Sequence, residues 1–595
     1  MRATLLFVLC GAAMATPLQK PAPKAHRPAA AAPADPAAAA DRLFHDYWEH
    51  ALRTSPELAT FVGDPRYNDR ISDPSLPAIR RDFAAKRRFL AAAEALPETG
   101  LDPERRTSRA LMIWQLKDAL DGERFRFWEM PLSQMEGLHI DFPALFSSHP
   151  FHTLKDYRDF VSRLRAFPKA MDATITNLRA GLKEGIVPTR LVVEAVITQV
   201  KPMTEGATST DPFLDPLRHC PPAITPAQQR QLRRQVDGAL KQGITPAYRR
   251  LLAFLEHDYL PAARPEPGFW AMKDGEARYA YLVRHHTTTD LTPEQIHATG
   301  LAEVTRIEGE MLAIAKSQGY PDLAAFRAAV AKNDKLHPKD AADLVARYKA
   351  YVDGMRPELP KLFGRLPKAP LAVVPMEAFR EQGAAAADYN AGTPDGSRPG
   401  RFSVNTFQAK DRSTLSIEST SYHEALPGHH LQISLAQEME GLPDFRKHMG
   451  IAAFEEGWAL YSERLPKELG FYQDPYSDYG RLGDEMLRAI RLVLDTGVHA
   501  KRWTREEMVA FFRAHGTNDE VELQSETDRY IAWPGQALSY KTGQLTILRL
   551  REKAKAELGA RFDLRAFHDL VLGGGAMPLS VLEQRVDDWI AEEKK

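Results

Sequence analysis

The chain has 595 residues, with 78 basic and 79 acidic side chains and a formal net charge of −1 at pH 7. That balance excludes a global electrostatic attraction to nucleic acid or an anionic membrane as the basis of its function. With 44% hydrophobic and 26% charged residues, the composition is that of a globular protein able to bury a large core.

Residues 1–15 read as a signal peptide. Arg2 is the charged start, Leu5 to Ala12 the apolar stretch, and Ala13-Met14-Ala15 a small-x-small cleavage site. The apolar stretch is too short to span a bilayer, so no stable membrane insertion is expected. Leu9 fits poorly before Cys10 as part of a lipidation motif. The expectation is therefore an exported protein, periplasmic or secreted, with a cleaved leader and no lipid anchor. Cleavage leaves Cys220 alone, which excludes an intrachain disulfide.

Residues 16–40 are Ala/Pro-rich and lack large apolar side chains, which predicts a disordered tether. From Asp41 the pattern becomes helical, with Leu43, Phe44, Tyr47 and Trp48 on one stripe. Residues 41–595 are expected to form one large, mainly α domain, helical over about 41–365 and site-bearing over about 366–595. His285-His286, followed by three threonines, reads as a strand whose neighbouring side chains point to opposite faces, so the pair cannot share an ion. Thr292, Pro293 and Gln295 make a helix start with a capping box. Pro370–Pro375 and Arg401–Phe407 are short β-rich runs around a glycine-rich loop.

The segment from Ser421 to Glu463 concentrates the chemistry. His423, His429 or His430, and a carboxylate from Glu455-Glu456 are the residue types that ligate a catalytic zinc. Glu424, beside the first imidazole, is placed to act as general base. On an unbroken helix two imidazoles share a metal when four residues apart, about 40° around the axis and roughly 6 Å along it. His429 and His430 are too far from His423 for that. Pro427 removes a backbone donor and disfavours helix at Leu426, so Leu426-Pro427 should loop out. The remainder reads His423-Glu424-Ala425-Gly428-His429, which makes His429 the better second ligand and His430 the reserve. Glu456, on a following antiparallel helix after a turn around Gly441–Pro443, is the third ligand. Glu455 points about 100° away, outside the ligand set.

Further donors lie later in the chain. Asp495 and His499 are spaced i, i+4, so His499 could be oriented to bond the tetrahedral intermediate. Tyr530 or Tyr540 could stabilise an oxyanion, and Arg529 and Lys541 could bind a substrate carboxylate.

His423-Glu-Ala-Leu-Pro-Gly-His-His430 and Glu456-Gly-Trp-Ala-Leu-Tyr461 resemble the signatures of the bacterial domain of unknown function 885 family, as do Ser55–Asp64 and Pro534–Gly543. The resemblance implies kinship to all-helical gluzincin-type zinc peptidases: a zincin-like body of oligopeptidase or carboxypeptidase kind, with a deep cleft and a small β-element beside the zinc. On that kinship, Arg401–Thr406 is the candidate edge strand for a peptide backbone, with Asn405 among its substrate contacts. The resulting reading is a zinc-dependent hydrolase of short peptides, with Glu424 as base and no nucleic-acid partner. The alternatives are a zinc amidase or esterase on a non-peptide substrate, and a non-catalytic helical binding protein.

Overall fold

The computed structural model describes residues 35–205, 212–377, 381 and 385–595. The expected leader, Cys10 and residues 16–34 of the expected tether lie outside them. The first helix, α1 (Pro36–Thr54), starts earlier than Asp41: Asp35 caps it by accepting from the Ala37 N–H, and Pro36 stands at N1. Ala40 is fully buried with Phe44 and Leu52. The Ala-rich end of the expected tether is thus helical and packed. A run of alanines carries no periodic signal of its own, which hid this start.

The protein is mainly α. Helix α2 (Leu154–Lys183) belongs to a separate apolar cluster built on Phe160, Phe167, Tyr248 and Phe254. Helix α3 (Gly275–Thr287) contains His285 and His286, so the expected strand there is a helix. His285 Nδ1 lies 2.6 Å from Asp118, while burial pushes His286 down to about 3. Consecutive helical residues diverge by about 100°, so the two imidazoles still cannot share an ion. Helix α4 (Pro293–Ser317) opens with the expected capping box of Thr292 and Gln295.

Three strands, β1 (Leu371–Pro375), β2 (Ala387–Asn390) and β3 (Gly400–Val404), form a sheet of order β1-β3-β2. β3 pairs parallel with β1 and antiparallel with β2. Arg401–Val404 is therefore the middle strand. Its backbone groups are paired on both sides, which overturns the edge-strand expectation; the edges are β1 and β2.

The site helices follow: α5 (Ile417–Glu424), α6 (His429–Glu438), α7 (Ala452–Ser462), α8 (Pro475–His499), α9 (Glu520–Ala532) and α10 (Ser539–Leu558). Helix α8 is buried along most of its length and packs against α4, with Val304, Ile307 and Met311 facing Met486 and Ile490. Such a helix can present several buried polar side chains to its neighbours at fixed positions. One core joins α1 to the site helices, taking in Phe44, Tyr422, Leu426, Trp458 and Ile547. Among the described residues, no helix is long and apolar enough to cross a membrane.

Candidate metal centre

Helix α5 ends at Glu424 and α6 begins at His429, so residues 425–428 form the predicted break. Gly428 lies against the end of α5: an added Cβ would come within 1.9 Å of the His423 carbonyl oxygen and 2.4 Å of that of Tyr422. Only glycine permits this approach. The Pro427 carbonyl accepts from Trp458 Nε1 at 3.0 Å, which ties the break to α7. Next to Trp458, Gly457 meets Gly543 of α10; a Cβ at Gly457 would fall 2.5 Å from the Gly543 Cα. The Glu-Gly-Trp run thus supplies a carboxylate, a close helix crossing and a hydrogen bond to the break.

His423, His429 and Glu456 each direct one ligand atom to a common point, with those atoms all within 4.8 Å of one another. Glu456 Oε2 lies 3.5 Å from His423 Nε2 and 3.4 Å from His429 Nε2. Tetrahedral zinc with bonds of about 2.0–2.2 Å separates its ligand atoms by about 3.3–3.6 Å. The donor set and spacing fit zinc. His430 faces elsewhere: its Nδ1 lies 3.0 Å from the Tyr389 hydroxyl, and burial pushes its pKa down to about 4. The geometry therefore selects His429 over His430.

His423 Nδ1 lies 2.7 Å from Glu463 Oε1. With its proton donated there, the Nε2 lone pair is left for a metal. Sequence reasoning missed Glu463, although a signal existed: it stands seven positions after Glu456, which returns to nearly the same helix face. Glu463 is itself 3.9 Å from Arg488 Nη2 on α8. Replacement of Glu463 by Gln is expected to weaken zinc affinity by roughly 10–100-fold. Competition against a chromogenic chelator measures this, and an unchanged affinity would remove Glu463 from the site.

Burial raises the Glu424 carboxyl, against the pull of the two imidazoles, and raises Glu455 to about 7. Burial opposes charge on His423, yet the carboxylates of Glu456 and Glu463 outweigh it and lift the imidazole to about 10. The site opens on one side: Glu456 and His429 keep 20% and 12% of their side-chain surface, His423 and Glu463 only 5% and 2%.

The later residues divide. Lys541 is wholly buried, its ammonium 2.7 Å from Glu303 and 2.8 Å from Glu485, and it donates to Gln544. This contradicts a role for Lys541 on substrate. A Lys541→Met protein is expected to lose about 3 kcal/mol of stability, because Glu485 would keep a buried charge with one partner fewer. Denaturant unfolding checks this, with zinc content unchanged.

His499 accepts from the Phe269 N–H through Nδ1 at 3.1 Å and donates through Nε2 to the Tyr530 carbonyl at 2.9 Å. Both ring nitrogens are spent on backbone, and burial pushes the imidazole down to about 3, which contradicts a catalytic role. Asp495 instead takes the Tyr279 hydroxyl and the Gly535 N–H. The Tyr530 hydroxyl, fully buried, donates to Glu526 at 2.5 Å and does not serve as an oxyanion donor. Asn405 is also fully buried; its amide donates to the Glu381 and Ala385 carbonyls, so it is spent on backbone rather than substrate. Arg529 and Tyr540 keep accessible surface and bond each other at 3.2 Å.

A family model described as "Bacterial protein of unknown function (DUF885)" matches residues 56–586. The chain belongs to this family. Two solved structures are similar over nearly their whole length. One, described as a putative lipoprotein from Colwellia psychrerythraea, is 30% identical with TM-score 0.89, covering 93% of this chain and 99% of that one. The other, described as a putative lipoprotein of unknown function from Shewanella oneidensis, is 19% identical with TM-score 0.69, covering 92% and 99%. These descriptions overturn the expectation, drawn from Leu9, that a lipoprotein is excluded. A structure described as a putative oligoendopeptidase F from Bacillus anthracis str. Ames matches at 12% identity and TM-score 0.31, covering 87% of this chain and 95% of that one. No curated protein matches the DUF885 chain.

Proposed function

We propose that this DUF885 protein is a zinc-dependent hydrolase that cleaves short peptides. The observation that carries the reading is the convergence of His423, His429 and Glu456, their ligand atoms within 4.8 Å of one another and both imidazoles 3.4–3.5 Å from Glu456 Oε2, with Glu424 next to His423 in the chain. Zinc, when bound there, polarises the scissile carbonyl and lowers the pKa of a water molecule. Glu424 accepts the proton of the attacking water and delivers it to the leaving amine. Glu463 fixes the His423 tautomer. The edge strand β2 packs beside α5 and offers main-chain groups to an extended substrate, a mode of binding with little sequence demand.

The test is metal content by mass spectrometry on the purified protein and on a His423→Ala variant, followed by digestion of a peptide library. The reading requires about one zinc per chain, lost in the variant, and peptide cleavage by the loaded protein. No zinc in either protein after zinc is supplied would overturn it. A loaded protein that cleaves non-peptide amides or esters but no peptide would overturn the substrate class alone.

A further inference from the structure

We propose that Arg488, Arg491 and Arg529, with Tyr540, form a subsite for the C-terminal carboxylate of a short peptide, so that cleavage releases residues from the carboxyl end. The inference rests on the peptidase reading above.

The subsite begins directly behind the metal ligands. Glu463, which holds His423 at 2.7 Å, is 3.9 Å from the Arg488 guanidinium. These two contacts set Arg488 on the order of 10 Å from the converging ligand atoms. Arg491 follows on the same face of α8. Its guanidinium carbon lies 4.5 Å from the centre of the Tyr540 ring, and its Nη2 donates to Glu526 at 2.8 Å. Arg529 arrives from α9, donating to the same Glu526 at 3.1 Å and to the Tyr540 hydroxyl at 3.2 Å.

Three guanidiniums face three carboxylates, so the formal charges balance. Arg488 faces Glu463 and, at 3.5 Å, Asp484. Arg491 and Arg529 share the single carboxylate of Glu526. The donors are nonetheless underused. Arg488 Nε, Arg491 Nη1 and Arg529 Nε are buried without a hydrogen-bond partner among the described residues. Each guanidinium thus leaves one donor for a further acceptor, and a carboxylate is the acceptor guanidinium binds best. Access remains, since Arg488 and Arg529 keep 14% and 18% of their side-chain surface.

An acidic side chain carries the same chemistry as a C-terminal carboxylate, so the experiment separates the two. The zinc-loaded protein is given an N-acetylated peptide as its free acid, the same peptide C-amidated, and an amidated version with glutamate as its last residue. The expected result is a kcat/KM at least tenfold higher for the free acid than for either amide, with products shortened from the carboxyl end. In an Arg529→Gln protein that ratio falls to about one. Equal cleavage of acid and amide overturns the proposal and leaves the hydrolase reading standing. Full rescue of the amide by the glutamate side chain also overturns it, by making the subsite a side-chain pocket. If the loaded protein cleaves none of the three, the peptidase reading falls and this inference with it.

Discussion

On the proposed hydrolase reading, a Glu424→Gln protein is expected to keep its fold and its zinc and to lose hydrolysis by a factor on the order of 10²–10⁴. Glu424 is the last residue of α5, immediately after the ligand His423, and is not itself part of the converging triad. Gln has the same shape, so the packing at the end of α5 and the three ligand atoms are undisturbed. What is lost is the lone pair that accepts a proton from water. Burial raises the Glu424 carboxyl while the imidazoles of His423 and His429 oppose that rise, placing a basic group where a proton must move. The measurement is kcat/KM on a cleaved peptide together with zinc content of the same preparation. Full activity with full zinc would remove Glu424 from the chemistry. Loss of zinc along with activity would instead assign it to the ligand set.

The clustering of His423, His429 and Glu456 was legible in the sequence because its rules are local. Helical spacing excludes an unbroken His423–His429 pair, and Pro427-Gly428 supplies the break that brings His429 round. The carboxylate of Glu456 follows from the same helical geometry applied to the next element. The outlying residues were not legible, because their fate depends on partners distant in the chain. Lys541 meets Glu303 and Glu485, His499 meets Phe269 and Tyr530, and Asn405 meets the carbonyls of Glu381 and Ala385. A lysine or histidine in a polar run looks alike from the sequence whether it faces a cleft or the interior. Strand order has the same dependence. The composition of Arg401–Val404 marks a strand without giving its place; the edge position was implied by the resemblance, and only pairing with both β1 and β2 shows that it is central. Glu463 lies between the two cases: its helical phase with Glu456 was readable, but its bond to His423 required the crossing of α5 and α7.

A Gly428→Ala protein is expected to lose zinc affinity by at least about 100-fold and to be destabilised by about 1–3 kcal/mol, as overpacking of a tight interior typically costs. The new methyl group would sit 1.9 Å from the His423 carbonyl oxygen and 2.4 Å from that of Tyr422, so the backbone has to separate by about an ångström. His423 and His429 flank this contact, one next to the end of α5 and the other beginning α6. Zinc coordination tolerates deviations of only about 0.2 Å, so a displacement of that size between two ligands cannot leave both bonds intact. Trp458 adds to the loss, because its hydrogen bond to Pro427 holds the same loop against α7. A second variant isolates this effect from the generic effect of replacing glycine. Gly309 lies within α4, where an added Cβ meets nothing within 4 Å. Gly309→Ala is expected to bind zinc like the wild type and to gain up to about 1 kcal/mol from helix propensity. Chelator titration and denaturant unfolding of both proteins decide the matter. If Gly428→Ala binds zinc as tightly as Gly309→Ala, the close approach of the break to α5 is not what positions the second ligand.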